Sequence, residues 1–170
     1  MITVDLEAVM KVKEIMTTAP EAGRPEDNLA RAVELLWKAD CGVLPIVDDT
    51  GRVAGILTDR DICIALGTRN ARAADVHIAQ VMRSTVYTCE PEDDVLAALA
   101  LMSDRRVRRL PVVEGGELVG VVSLNDAVLA MGTGRNGVRP GAVLDTFRSV
   151  CAHQLPVVVE HQPAMAAKVS

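Results

Sequence analysis

The 170-residue sequence predicts an α/β (α+β) fold built from two copies of one motif, and three observations predict it. Landmarks recur at a fixed spacing along the chain, as in repeat proteins. Within each copy, apolar residues follow the periodicities of helices and strands. The composition is 49% hydrophobic but only 2% aromatic, which indicates an aliphatic core. Because one copy of about 55 residues would bury little surface alone, we expect the copies to pack sheet to sheet around a single core.

Four landmarks define the repeat. Three of them recur 66 residues apart, and the fourth recurs 65 residues apart. The pairs are 12–16 with 78–82, 25–29 with 91–95, 44–47 with 110–113, and 55–61 with 120–126. One residue has therefore been lost between the third and fourth landmarks. Such a change fits a hairpin turn, where loop length is adjusted most freely.

Each copy has the same predicted order of elements: short strand, helix, strand, turn, strand and helix. The Pro-Glu-Asp runs at 25–27 and 91–93 suit the first turn of a helix, because proline loses no hydrogen bond there and carboxylates face the positive end of the dipole. β-rich runs predict the longer strands, at 43–47, 53–57, 107–113 and 118–122.

Helical spacing predicts the buried face of the first helix in each copy. The predicted residues are Leu29, Val33 and Leu36 in the first copy, and Val95, Leu99 and Met102 in the second. Thr58 and Ser123 each open a second helix, which is expected to run to about residue 66 or 131.

Composition argues against several functional classes. A net charge of −5 and only three aromatic residues argue against a general nucleic-acid-binding protein, because such proteins need cationic surfaces and aromatic side chains on which bases stack. No apolar run reaches the roughly 20 residues that span a bilayer, and the start of the chain lacks the order of a signal peptide, so we expect a cytoplasmic protein with no membrane partner. The cysteines form no Cys-x-x-Cys pair, so we expect no metal site and buried free thiols at Cys41, Cys63, Cys89 and Cys151.

The motifs resemble those of tandem cystathionine β-synthase (CBS) domains, a pair often called a Bateman module. The resemblance rests on Val-Lys-Glu-Ile-Met-Thr at 12–17, Leu-Pro-Ile-Val-Asp at 44–48, Gly-Arg-Val-Ala-Gly-Ile-Leu-Thr-Asp-Arg-Asp-Ile at 51–62, and their second copies. It implies β-α-β-β-α repeats in pseudo-two-fold symmetry, with clefts for adenosine-containing ligands between them. It also implies regulation rather than catalysis, so we expect no enzyme and no catalytic residues.

The resemblance covers about residues 11–132 and divides the chain. We expect an N-terminal lead-in at 1–10, a first CBS repeat at 11–67, a linker at 68–77, a second repeat at 78–132 and a tail at 133–170. In the tail, Val143, Phe147, Val150 and Cys151 stand at helical spacing and predict an amphipathic helix over 142–153. Residues 155–159 could form a strand, and 163–170 are expected to be disordered.

Two Ser/Thr-x-x-Asp motifs are the main candidate binding residues: Thr58 with Asp61, and Ser123 with Asp126. A capping box at a helix start would explain both. A ligand site is compatible with that explanation, because helix-start amides bind phosphate and a carboxylate can accept ribose hydroxyls. The resemblance assigns these residues to phosphate and ribose.

Further candidates surround these motifs. Arg108 and Arg109 precede the second Leu-Pro strand, and they form either a solvated helix end or a polyphosphate grip, to which Arg60 could add. The resemblance implies that adenine lies beside 14–19, 80–86, 43–46 and 109–112. From these stretches we select Gln80, Thr85 and Val86, whereas Val43 and Ile46 are more simply core residues.

The expected function is therefore a regulatory module that binds AMP, ADP or ATP and modulates a separate partner protein. A homodimer of two modules, arranged as a disc, is the assembly that the resemblance implies. Three alternatives stay open: a ligand-free dimerisation scaffold, a sensor of S-adenosylmethionine or NAD, and a nucleic-acid-binding CBS protein supported only by the arginine cluster at 105–109.

Overall fold

The computed structural model describes residues 9–132 and 137–152. The first eight residues of the predicted lead-in therefore lie outside the described residues. So do the predicted strand at 155–159, the predicted disordered end at 163–170, and the last residue of the predicted tail helix.

The described residues form five β-strands, five α-helices and three short 3-10 turns. The strands are β1 (Thr17–Thr18), β2 (Val43–Val47), β3 (Val53–Thr58), β4 (Arg109–Glu114) and β5 (Glu117–Ser123). The helices are α1 (Leu29–Lys38), α2 (Asp59–Arg69), α3 (Val95–Arg105), α4 (Leu124–Leu129) and α5 (Pro140–Cys151). The 3-10 turns are Val12–Glu14, Ala73–Asp75 and Ile78–Gln80. We call α1 to α2 repeat 1 and α3 to α4 repeat 2.

Each repeat is built around an antiparallel hairpin, as predicted. In repeat 1, β2 pairs with β3, and in repeat 2, β4 pairs with β5. Both hairpins carry an irregularity at the same place, between Ile46 and Val47 and between Val112 and Val113. The residue that repeat 2 has lost falls in the turn between its two strands, where the sequence predicts it.

The segment preceding each repeat pairs with the sheet of the other repeat. β1, which precedes repeat 1, lies antiparallel to β5, with Thr17 opposite Val121. In the same way Arg83, which precedes repeat 2, forms a bridge with Ile56 of β3. Since these contacts are related by the 66- and 65-residue offsets, the whole arrangement has the pseudo-two-fold symmetry that the family resemblance implies.

The prediction that the Pro-Glu-Asp runs begin helices is wrong. α1 begins at Leu29 and α3 at Val95, capped by the side chains of Asn28 and Asp94. The carbonyl oxygens of the Pro-Glu-Asp runs instead accept hydrogen bonds from the segments at 12–17 and 78–83. We call these two segments the exchanged segments, because each pairs with the other repeat. The bonds are Ala79 N to Pro25 O (3.0 Å), Ile78 N to Asp27 O (2.8 Å), Lys13 N to Pro91 O (3.0 Å) and Val12 N to Asp93 O (2.9 Å).

The buried apolar residues form two clusters rather than the single predicted core. One cluster holds the buried residues of repeat 1 and includes Ile78 from the segment that precedes repeat 2. The other holds those of repeat 2 and includes Val12 from the segment that precedes repeat 1. Each repeat therefore completes its core with an apolar side chain from the segment that precedes the other repeat. This shared burial makes a pair of repeats more stable than a single repeat.

The tail helix α5 covers the helical face of repeat 2. It packs on α3 and α4, buries Val143, and donates from Ser149 Oγ to the Ser103 carbonyl oxygen at 2.9 Å. Of the residues predicted to face inwards from this helix, Phe147 and Val150 are half-buried, whereas Cys151 is exposed at the last turn.

Repeat 1 has no such cover among the described residues. Val33, predicted to lie in the core, is 46% exposed, whereas its equivalent Leu99 is 2% exposed beneath α5. The buried face of α1 is instead formed by Leu29, Ala32, Leu35 and Leu36. Trp37 on the same helix is 87% exposed.

Candidate functional site

The first candidate site, site 1, contains Thr58 and Asp61 at the start of α2. The Thr58 hydroxyl donates to Asp61 Oδ2 at 2.6 Å and the Thr58 backbone N–H donates to the same oxygen at 3.2 Å. The Asp61 N–H in turn donates to Thr58 Oγ1 at 3.1 Å. The predicted capping box is confirmed, and it holds the carboxylate through one of its two oxygens.

The second candidate site, site 2, repeats this arrangement with Ser123 and Asp126 at the start of α4. The Ser123 hydroxyl and backbone N–H both donate to Asp126 Oδ2 at 2.7 Å. The Asp126 N–H donates to Ser123 Oγ at 3.2 Å. Within the described residues no group donates to Asp126 Oδ1, so this half-buried carboxylate keeps one acceptor oxygen available.

Site 1 differs from site 2 through Arg83. Its guanidinium donates to Asp61 Oδ1 from Nη2 at 2.8 Å and from Nε at 3.3 Å. The equivalent residue near site 2 is Thr17, which carries no charge. Sequence reasoning missed Arg83, although it lies inside the stretch 80–86, because nothing in the stretch itself shows that it faces Asp61. The exchange of Thr17 for Arg83 at matching repeat positions is the signal that could have identified it.

The Arg83 contact stabilises the charged form of Asp61. Burial alone would raise the pKa of Asp61, but hydrogen bonds from Thr58 and Arg83, together with the positive charge of Arg83, outweigh burial. They hold the pKa of Asp61 below its ordinary value of 3.8. Asp61 is therefore ionised throughout the physiological range.

Arg109 enters a cavity of about 510 Å³ on repeat 1. Its walls include Trp37 of α1 and Asp59 and Cys63 of α2, while Arg109 comes from the start of β4 in repeat 2. Arg109 has no ion-pair partner in the part of the chain that the structure describes. The cavity is therefore bounded by both repeats. Asp59 and Asp40, which also line it, carry negative charges that attract the Arg109 guanidinium and repel an anion.

The remaining predicted residues are not held against the two carboxylates. Arg108 is exposed, and its carbonyl oxygen accepts from Leu124 N at 2.9 Å. Arg60 is exposed in the first turn of α2. Gln80 ends a 3-10 turn and accepts from Arg69 Nη2 through its carbonyl oxygen at 3.0 Å.

Thr85 is exposed and Val86 half-buried in the segment that follows Arg83. The structure thus brings together the pairs Thr58 with Asp61 and Ser123 with Asp126. The ligand roles of all these residues stay predictions.

The four cysteines are free, but the expectation that all are buried is wrong. Cys89 is buried, Cys41 is half-buried, and Cys63 and Cys151 are exposed on helices. Burial, reinforced by the charge of Asp93, raises the pKa of the Cys89 thiol to about 12, so this thiol is unreactive at neutral pH. No cluster of metal-ligating side chains occurs among the described residues.

None of the described helices has the length and apolar character needed to cross a membrane.

A sequence profile of the CBS domain matches the chain twice, over residues 12–68 and 78–132. CBS domain-containing protein YhcV of Bacillus subtilis is 33% identical over 115 residues, which are 68% of this chain and 81% of that protein.

An enzyme and a solved structure are also similar to this chain. Inosine-5'-monophosphate dehydrogenase of Mycobacterium leprae is 33% identical over 125 residues, which are 72% of this chain but 22% of the enzyme. The CBS domain pair of protein MJ0100, solved in complex with 5-methylthioadenosine and S-adenosyl-L-methionine, matches with a TM-score of 0.65 at 28% identity. That match covers 71% of this chain and 94% of that chain. With two profile matches, and with pseudo-symmetric hairpins that each pair with the segment preceding the other repeat, this chain belongs to the CBS domain family as a tandem CBS pair.

Proposed function

We propose that this chain is a non-catalytic regulatory module that binds an adenine nucleotide, AMP, ADP or ATP, between its CBS repeats and modulates a separate partner protein. The observation that carries the proposal is the carboxylate of Asp126. Its Oδ2 is fixed by Ser123, and its Oδ1 has no donor within the described residues. A ribose diol needs such an oriented acceptor, as in dinucleotide sites.

The ligand class has two further supports. The MJ0100 pair was solved with two ligands that both contain adenosine, so a related pair has this chemistry. Arg109 supports a phosphorylated adenosine over S-adenosylmethionine, because a guanidinium pairs with phosphate oxygens and repels a sulfonium cation. Ser123 and Asp126 then bind the ribose, and Arg109 binds the phosphates.

Calorimetric titration of the full chain with adenosine, AMP, ATP and S-adenosylmethionine tests the proposal. We expect AMP and ATP to bind, and Asp126→Asn to weaken both about tenfold at site 2 by removing a charged acceptor. Asp104→Asn is the matched control, because Asp104 is exposed and, among the described residues, forms an ion pair only with the neighbouring Arg105. Absence of heat and of any thermal shift with all four ligands would contradict the proposal.

The phosphate assignment has its own test. Arg109→Ala is expected to weaken ATP more than adenosine, because only ATP presents an anion to the guanidinium. Equal losses for the two ligands would remove Arg109 from phosphate binding while leaving the ribose assignment intact. Tighter binding of S-adenosylmethionine than of any nucleotide would replace the nucleotide with that ligand.

We also propose that the module forms a homodimer through the exposed face of α1. Val33 and Trp37 lie there beside a cavity, and the equivalent face of repeat 2 is covered by α5 of the same chain. A second copy would bury these side chains. In light scattering, the wild type is expected to be a dimer and Trp37→Ser a monomer, whereas Leu144→Ser, on exposed α5 surface, stays dimeric. A monomeric wild type contradicts this assembly.

This face also defines the second candidate function, a dimerisation scaffold whose sites stay empty. The two functions differ in one measurement, because a ligand that binds the folded state must raise its apparent stability. If no adenosine compound changes the melting temperature of the dimer, the protein is a scaffold.

A further inference from the structure

We propose that the ion pair of Arg83 with Asp61, which we call the latch, makes site 1 selective for phosphorylated ligands, while site 2, where the equivalent residue is Thr17, binds adenosine without displacing a cation. This inference rests on the proposed function, since it concerns the same adenosine ligand. The two sites then differ in the ligand charge that they require, although their backbones match.

The geometry of Arg83 suits a latch. Its backbone is anchored to β3, with Arg83 N donating to Ile56 O at 2.9 Å and Ile56 N donating to Arg83 O at 3.0 Å. Its side chain is 66% exposed, whereas the Asp61 side chain that it contacts is 10% exposed. The backbone of Arg83 is therefore fixed, whereas its guanidinium lies at the surface and is able to separate from the carboxylate.

The latch occupies the acceptor that ribose requires. Asp61 Oδ2 already accepts two bonds from Thr58, and Arg83 takes Oδ1 with two N–H groups. A ribose diol must displace the guanidinium to reach Oδ1. The exchange replaces charge-assisted bonds by neutral ones, so adenosine alone binds against a penalty.

A phosphate on the ligand reverses this penalty. The displaced guanidinium stays close to the ligand because its backbone is held to β3, and it pairs with phosphate in a bidentate manner. The positive charge is then neutralised by the ligand instead of by Asp61. At site 2 the equivalent residue, Thr17, offers neither the competition nor the phosphate contact.

The size of the effect follows from the exposure of the latch. An ion pair with one largely exposed partner contributes little free energy, so the latch changes affinity by a factor of about two to five rather than abolishing binding. The measurable quantity is the ratio of AMP affinity to adenosine affinity at each site.

The test uses the full chain and reciprocal substitutions. Asp126→Asn isolates site 1, and Asp61→Asn isolates site 2. In the Asp126→Asn background, Arg83→Thr is expected to tighten adenosine about two- to five-fold and to weaken AMP. In the Asp61→Asn background, Thr17→Arg is expected to do the opposite at site 2, by installing the latch. Calorimetry with adenosine and AMP gives the ratios, and thermal melts check folding.

The outcomes separate this inference from the function that it refines. If the wild type binds AMP and Arg83→Thr leaves the ratio of AMP to adenosine affinity unchanged, or weakens adenosine, the latch is rejected and nucleotide binding stands. If neither ligand binds the wild type, the proposed function and the latch fail together. Should Arg83→Thr fail to fold, Arg83→Gln removes the charge while keeping an unbranched polar side chain, and the same ratio decides.

Discussion

In repeat 1 the outer face of α1 is exposed and the candidate carboxylate is paired with an arginine. In repeat 2 the matching face lies under α5, and no cation among the described residues pairs with the carboxylate. Several main-chain pairings around these differences correspond between the two repeats. Thr17 with Val121 and Arg83 with Ile56 are equivalent pairs, as are Gly23 with Ile46 and Cys89 with Val112. Because the shared frame is held by main-chain bonds, it tolerates side-chain changes. The two halves can thus diverge in surface and charge without losing their symmetry.

The largest expected contrast lies on the helical faces. Leu99→Ala should destabilise the protein by about 2–5 kcal/mol, because a buried leucine leaves a cavity beneath α5. Val33→Ala at the equivalent position should stay within about 0.5 kcal/mol, because that side chain is already half in solvent. Urea unfolding of dilute protein measures both. Similar losses for the two variants would mean that α5 does not cover α3.

The exchanged segments should be equally important on both sides. A Cβ atom at Gly55 would lie 2.7 Å from Met82 Sδ and 3.1 Å from the Arg83 carbonyl oxygen. At Gly120 it would lie 2.7 Å from Met16 Sδ and 3.0 Å from the Thr17 carbonyl oxygen. We expect Gly55→Ala and Gly120→Ala each to lose about 1–3 kcal/mol of unfolding free energy through crowding.

Gly67→Ala is the matched control for these two variants. Gly67 lies in α2, and an added Cβ atom would meet nothing within 4 Å. Alanine is also the better helix former, so this variant should be neutral or stabilising. A loss at only one of Gly55 and Gly120 would show that one exchanged segment does not pair as the symmetry requires.

The helix caps should be matched as well, with a smaller effect. Thr58→Ala and Ser123→Ala each remove one capping hydroxyl, so each should cost about 0.5–2 kcal/mol in thermal or urea unfolding. The swaps Thr58→Ser and Ser123→Thr keep the hydroxyl and should be nearly neutral. If the alanine variant at one of these positions loses no unfolding free energy, the hydroxyl at that position does not cap its helix.

Local features and the repeat arrangement of this fold are predictable from the sequence, whereas contacts between particular distant residues are not. The hairpins and the caps at Thr58 and Ser123 depend on residues within a few positions of one another, so spacing and residue type predict them. The predicted starts of α1 and α3 are wrong, because the carbonyl groups of the Pro-Glu-Asp runs accept hydrogen bonds from segments about 50 to 80 residues away. No local pattern reports such a partner.

The same limit applies to the candidate sites. Asp61 and Asp126 follow from their motifs, but the contact of Arg83 with Asp61 joins residues 22 positions apart through the exchange of segments. Val33 was assigned to the core because its helical spacing equals that of Leu99. What separates the two residues is the cover from α5, which belongs to the tail and not to the repeat.

The smallest expected effect concerns Arg83 and is distinguished by its pH dependence. Arg83→Thr should lose about 0.2–1 kcal/mol at pH 7, as for other largely exposed ion pairs. Since the folded pKa of Asp61 is lowered, the contribution is complete above the ordinary value of 3.8 and is lost as the pH falls through the lower folded pKa. The unfolding free energies of wild type and variant should therefore converge in acid. Thr17→Arg, which places a cation near Asp126, should show a gain in unfolding free energy at pH 7. A difference for Arg83→Thr that persists at low pH would assign the role of Arg83 to packing of its methylene groups instead of to its charge.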